Sequence, residues 1–124
     1  MACILIVDDS WLMRNTLKVM LSSHGYETVE AVNGADGLAK MSECLPDCIL
    51  LDLVMPDLDG FQFLRICQEQ NIKIPAIVLT ADIQDTTRVK CVALGAKTLL
   101  KKPPQEEIVM EAINQALLSR QAGA

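Results

Sequence analysis

LLDLVMPDLDG, residues 50–60, decides the fold. It completes an apolar run, Cys48-Ile49-Leu50-Leu51, on the acid Asp52, and Val54-Met55-Pro56 then turns the chain away. A short run without polar alternation is what a strand covered on both faces requires, and its terminal acid then sits at the carboxyl end of the strand. Three more runs share the design: residues 3–7 lead into Asp8-Asp9, residues 76–79 into Thr80, and residues 98–101 into Lys102. In an open parallel sheet such groups meet in one crevice beyond the carboxyl ends of the strands, where these folds bind ligands.

Working outward, strands are expected near 3–7, 27–31, 48–52, 76–80 and 98–101, alternating with helices near 11–24, 34–43, 60–70, 85–94 and 104–120. Strict β–α alternation implies an α/β protein, a parallel five-stranded sheet with right-handed crossovers and helices on both faces. Asn33 suits the N-cap of the second helix, Gly25 and Gly95 suit the ends of the first and fourth, and Pro104 suits the first turn of the last.

At 124 residues the chain fits one domain, with room for one real core and none for a second unit. A hydrophobic fraction of 51% places it among globular rather than disordered chains. No apolar run reaches the length of a membrane span and no basic leader precedes the first strand, which points to a cytoplasmic protein without membrane contact. The formal charge of −5 argues against direct nucleic-acid binding, because phosphate backbones reward Lys and Arg. The five cysteines lack C-x-x-C spacing and lie mostly in apolar patterns, so they are expected in the core. The single histidine, His24, falls where a helix-end cation would.

Asp8, Asp9 and Asp52 brought together would repel, so the cluster must take up protons or bind a cation. Oxygen donors alone, without imidazole or thiolate, favour Mg²⁺ or Mn²⁺ over zinc. A carboxylate on a buried strand end is a phosphoryl acceptor, and phosphoryl transfer needs positioning and charge neutralisation more than acid–base work. Lys102 would supply a point charge, and Thr80 a hydroxyl donor. Lys101 competes with Lys102, since neighbouring strand residues face opposite ways and only one enters the crevice.

The residues and their order, Asp8-Asp9, LLDLVMPDLDG, Thr80-Ala81, Gly95-Ala96 and Lys102-Pro103, resemble the receiver domain of two-component response regulators, including single-domain chemotaxis regulators. The resemblance implies a flavodoxin-like (βα)5 three-layer sandwich with strand order 2-1-3-4-5, a receiver domain over 1–120 and a short tail at 121–124. It also implies that Asp52 is the phosphoacceptor, that Thr80 and Lys102 assist, and that Asp9, Asp52 and the Val54 backbone carbonyl hold the metal directly, with Asp8 acting through water. Lys102 is preferred over Lys101 by its match to the Lys-Pro motif, whose peptide bond is expected to be cis.

The implied partners are a histidine kinase or phosphotransfer protein, and a downstream protein met through residues 85–118, the protein itself being a monomer or a phosphorylation-dependent dimer. On the last helix Val109, Ile113, Ala116 and Leu117 follow core spacing, leaving Ile108, Met110 and Leu118 as contact candidates or as the edge of the core. Two departures weaken the inference about output: Leu99 stands where relatives carry an aromatic, and Pro104 replaces another. Val54 and Asp82 fall where relatives tune hydrolysis; Val54 cannot orient water and Asp82 could. Two other functions compete: a phosphatase or phosphotransferase acting on a turnover substrate, and a phosphorylation-independent binding module. The first lacks a D-x-D arrangement at Asp52, and the second would predict a lost acid or lysine.

Overall fold

The computed structural model describes residues 2–122, with side chains to residue 119. Five strands alternate with five helices: β1 (Cys3–Val7), α1 (Trp11–Ser23), β2 (Glu27–Ala31), α2 (Gly34–Cys44), β3 (Cys48–Asp52), α3 (Gly60–Glu69), β4 (Ala76–Thr80), α4 (Asp85–Ala93), β5 (Thr98–Lys101) and α5 (Glu106–Ala122). All strands are parallel, in the order β2-β1-β3-β4-β5. The expected topology and all five strand ranges therefore hold.

β3 and β4 are buried at every residue, as their unbroken apolar sequences require, whereas the edge strands β2 and β5 keep residues partly in water. Alternate side chains of each strand feed opposite layers. Ile4, Ile6, Leu50, Ile77 and Leu79 pack with Leu17 and Leu21 of α1 and with Val109, Ile113 and Ala116 of α5. Leu5, Val7, Ile49, Leu51 and Val78 pack instead with Met41 of α2, Phe63 and Leu64 of α3, and Cys91 of α4. Burying side chains of this size contributes about 1.5–3 kcal/mol each.

Local signals fix the helix ends. Asn33 caps α2 through Asp36 N–H at 2.7 Å, and Gly25 (φ 83°) and Gly95 (φ 98°) supply the left-handed residues after α1 and α4. Asp59 and Gln62 form a reciprocal capping box at the start of α3, with bonds of 2.8 and 2.9 Å. His24 occupies the C-cap of α1, where its Nε2 lies 3.5 Å from a Glu106 carboxylate oxygen of α5.

The start of the last helix differs from expectation. Pro104 lies before α5, whose first turn closes with Val109 N–H donating to Gln105 O at 2.9 Å. Pro103 precedes another proline and is therefore steered away from helical geometry, which delays the helix. The tail expected at 121–124 is helical through Ala122, and residues 123 and 124 lie outside the described residues.

Candidate functional site

The chain reverses its direction across the sheet between β1 and β3, the place where an open α/β sheet leaves a crevice. Asp8 follows β1 and Asp52 ends β3, and their main chains are adjacent because Val7 pairs with Leu51. Thr80 ends β4, one residue beyond the Asp52–Leu79 pair. Lys102 directly follows β5 and is joined to Pro103 by a cis peptide bond.

Asp8 (3% exposed), Asp52 (7%) and Thr80 (1%) are buried, while Asp9 is open to solvent. One oxygen from each of Asp8, Asp9 and Asp52 lies within 4.8 Å of the others. Lys102 Nζ reaches Asp8 Oδ2 at 2.9 Å and Asp52 Oδ1 at 3.3 Å, whereas Lys101 is exposed. Of the two lysines, Lys102 is the one that enters the crevice. Asp8 Oδ1 accepts from Ser10 N–H at 2.9 Å, and Val54 N–H lies 3.4 Å from Asp52 Oδ1. Val54 itself stands 76% exposed at the rim.

Burial and the charge of Asp8 push the Asp52 carboxyl above the usual carboxylate range, against the pull of Lys102. Burial opposes the charge of Lys102, but its hydrogen bond to Asp8 and the attraction of both acids outweigh this and hold the ammonium above its ordinary value. The cation is thereby kept charged.

A raised acid in the folded state has a stability consequence of definite sign. The contribution of protonated Asp52 is complete below the unfolded value and is lost as pH rises through the raised folded value. Asp52→Asn should therefore melt higher than the wild type at neutral pH without divalent cations, by on the order of 1 kcal/mol or about 4 °C. The gap should close below about pH 3, where the carboxyl is neutral in both states. Thermal melts showing equal stability at pH 7 would contradict a destabilising Asp52 charge.

One contributor was not anticipated from the sequence. Arg14, buried on α1, donates from Nη1 to the Asp8 carbonyl at 2.8 Å and pairs through Nε with Glu30 at 3.3 Å, bracing the acidic loop from behind. Its sequence signal was a charge on the stripe that continues through Leu17 and Leu21. The Asp82 carboxylate accepts from Thr87 Oγ1 at 2.8 Å and from Gln84 N–H at 3.1 Å. Thr80 Oγ1 accepts from Asp82 N–H at 3.2 Å, which leaves the hydroxyl proton for another partner. None of the five cysteines is in a disulfide, and burial pushes Cys67 up to about 11, the behaviour of a packed side chain.

A switch-point crevice holding three carboxylates, a lysine and a threonine defines a class of α/β protein suited to a cation and a phosphoryl group. The model for the response regulator receiver domain matches residues 4–114, and the chain belongs to that family, which serves two-component and chemotaxis signalling. It is 41% identical over 119 residues to protein PilH of Pseudomonas aeruginosa, covering 94% of this chain and 98% of that one. It is 37% identical to the chemotaxis protein CheY of Bacillus subtilis, covering 92% of this chain and 96% of the relative. Among solved structures, Vibrio cholerae chemotaxis protein CheY4 superimposes with a TM-score of 0.88 at 32% identity, over 94% of this chain and 99% of that one.

Proposed function

We propose that the protein is the phosphoacceptor module of a two-component phosphorelay. Asp52 takes a phosphoryl group from the phosphohistidine of a histidine kinase or phosphotransfer protein, and its occupancy switches an interaction surface. The observation that carries this reading is the ammonium of Lys102 set between two buried carboxylates, 2.9 Å from Asp8 and 3.3 Å from Asp52. A structural lysine would not require three convergent acids around it.

Asp9, Asp52 and the Val54 carbonyl would hold Mg²⁺ or Mn²⁺, with Asp8 acting through water. All donors in the cluster are oxygen, which fits a hard cation. When bound, the ion supplies positive charge opposite Lys102. The Asp52 carboxylate attacks phosphorus, an acyl P–O bond forms, and the P–N bond of the donor breaks with its electron pair leaving on the imidazole. Lys102 offsets charge on the phosphoryl oxygens, and the Thr80 hydroxyl donates to one of them.

The module acts on its own phosphoryl group and not on a turnover substrate, and it works in the cytoplasm as a monomer or a phosphorylation-dependent dimer. Its downstream contact lies within residues 85–118. Ile108 and Leu118 of α5 are exposed there, whereas Met110, expected beside them, packs against the core. No described helix is long and apolar enough to cross a membrane.

Incubation with acetyl phosphate and Mg²⁺ tests the reading. One hydroxylamine-sensitive phosphoryl group per chain, mapped by peptide mass spectrometry to Asp52, is the expected result. Label on Ser10 or Thr80 would overturn the assignment, and continuing release of product far beyond one equivalent would favour the enzyme. Mg²⁺ is expected to alter the fluorescence of Trp11, two residues past Asp9, and Asp9→Asn should bind it at least about tenfold more weakly. Calorimetry giving equal affinities would exclude Asp9 as a ligand.

A further inference from the structure

Two cysteines far apart in the chain meet at the end of the sheet opposite the acids. Cys3 opens β1 and Cys44 closes α2. Leu5 and Val7 of β1 face the layer of α2, α3 and α4, and strand alternation puts the Cys3 side chain on that same face. On α2, Cys44 stands about one turn beyond Met41, which is buried in that layer. Both side chains are thus directed into one corner, and the Cys3 thiol lies within hydrogen-bonding reach of the Cys44 thiol.

Backbone contacts hold this corner in place. Leu45 caps α2 in the left-handed conformation (φ 46°), its N–H donating to Met41 O at 3.0 Å, and turns the chain beneath the sheet. Asp47 then bonds Cys3 twice: its N–H donates to the Cys3 carbonyl and its Oδ2 accepts from the Cys3 N–H, both at 2.8 Å. The two cysteines are half-buried rather than sealed in the core, which leaves them open to a small oxidant. Cys48, four residues along from Cys44, packs in the opposite layer with α1 and α5. The sheet therefore divides the sequence neighbours, and the fold unites the distant pair.

We propose that Cys3 and Cys44 are a redox modification site, which a hydroperoxide converts to an intramolecular disulfide that clasps the end of α2 to the start of β1. Burial and the Cys44 thiolate beside it, with the charges of Glu27 and Asp47, hold the Cys3 thiol above its ordinary value. Cys44 is therefore oxidised first. Its thiolate attacks one oxygen of hydrogen peroxide, the O–O bond breaks, and the sulfur becomes a sulfenic acid while the second oxygen takes a proton and leaves as water. The Cys3 thiol then gives up its proton and its sulfur attacks that of Cys44, so that the S–S bond forms and the S–O bond breaks with loss of a second water. Two thiols lose two electrons, and one peroxide gains them. The bridge closes a loop of ~40 residues and restricts the unfolded chain.

The test treats the whole chain with hydrogen peroxide at neutral pH, blocks the remaining thiols in denaturant and maps peptides by mass spectrometry without reduction. The wild type should lose two of its five thiols and yield one linked pair of peptides, Cys3 with Cys44, which dithiothreitol returns to thiols. The oxidised form should melt at least about 5 °C above the reduced form. Cys3→Ser should give no bridge and should leave Cys44 as a sulfenic acid that dimedone traps, and Cys44→Ser should give no bridge. A link from Cys44 to Cys48, Cys67 or Cys91, a link between two chains, or five remaining thiols would overturn the pair. Equal melting of the bridged and reduced protein would overturn the clasp. The mapping in the wild type stands whether or not either variant folds.

Discussion

Lys102→Ala is expected to slow labelling of Asp52 by about a hundredfold or more, the usual cost of removing a preorganised charge from a buried site. Lys101→Ala should label like the wild type, because that side chain is exposed on the other side of the strand end. The variant should also be less stable. Lys102 is the cation that faces both buried acids, at 2.9 and 3.3 Å, and its loss leaves two neighbouring carboxylates without that counter-charge. Breaking such a buried arrangement costs about 3 kcal/mol. Saturating Mg²⁺ should restore much of that stability but not the labelling rate, since a cation at the acids does not replace the second positive pole. Labelling kinetics and melts, each at zero and saturating Mg²⁺, separate the two effects. Unchanged labelling in Lys102→Ala would remove the lysine from the chemistry.

Gly60→Ala is expected to be strongly damaging for a change of a single methyl group, at about 3 kcal/mol or more and about 10 °C in melting temperature. An added Cβ would stand 2.5 Å from the Asp52 carbonyl oxygen and 2.7 Å from Leu53 Cα, and neither backbone atom can swing aside. Gly37→Ala provides the comparison. Its Cβ would meet side-chain atoms of Phe63 and Val7 at 3.0 Å, which can yield, and alanine in a helix regains about 1 kcal/mol over glycine. Equal melting temperatures for the two variants would show that α3 and the end of β3 have slack that the structure does not display.

The sequence was most legible where one physical rule acted alone. β3 and β4 could be placed because unbroken apolar runs such as Ile49-Leu50-Leu51 admit few other uses, and the strand-end groups Asp52 and Thr80 followed from them. Family resemblance added what spacing alone left open: the strand order, Lys102 over Lys101, and the cis bond before Pro103. Pro104 misled because proline is compatible with a first helical turn and also with the residues just before one, and its neighbour Pro103 decided the matter. Met110 was ambiguous because its place at the margin of the apolar stripe suits either core edge or surface. Arg14 escaped because its role depends on an atom brought from elsewhere, the Asp8 carbonyl, and no local pattern announces such a meeting.

The central sheet divides the interior into two layers that share strands but no side chains. In mutational terms the sheet is a partition. Substitutions at Ile113 in one layer and Phe63 in the other have no common neighbour among the buried side chains, so their costs should sum to within about 0.5 kcal/mol. Drift in the packing of α1 and α5 is thereby hidden from α2, α3 and α4, and each layer is free to change its residues on its own schedule. The carboxyl edge is where that independence ends: there the loops from both layers converge on the same three acids, so a change that is silent deep in either core can be felt when it reaches the rim.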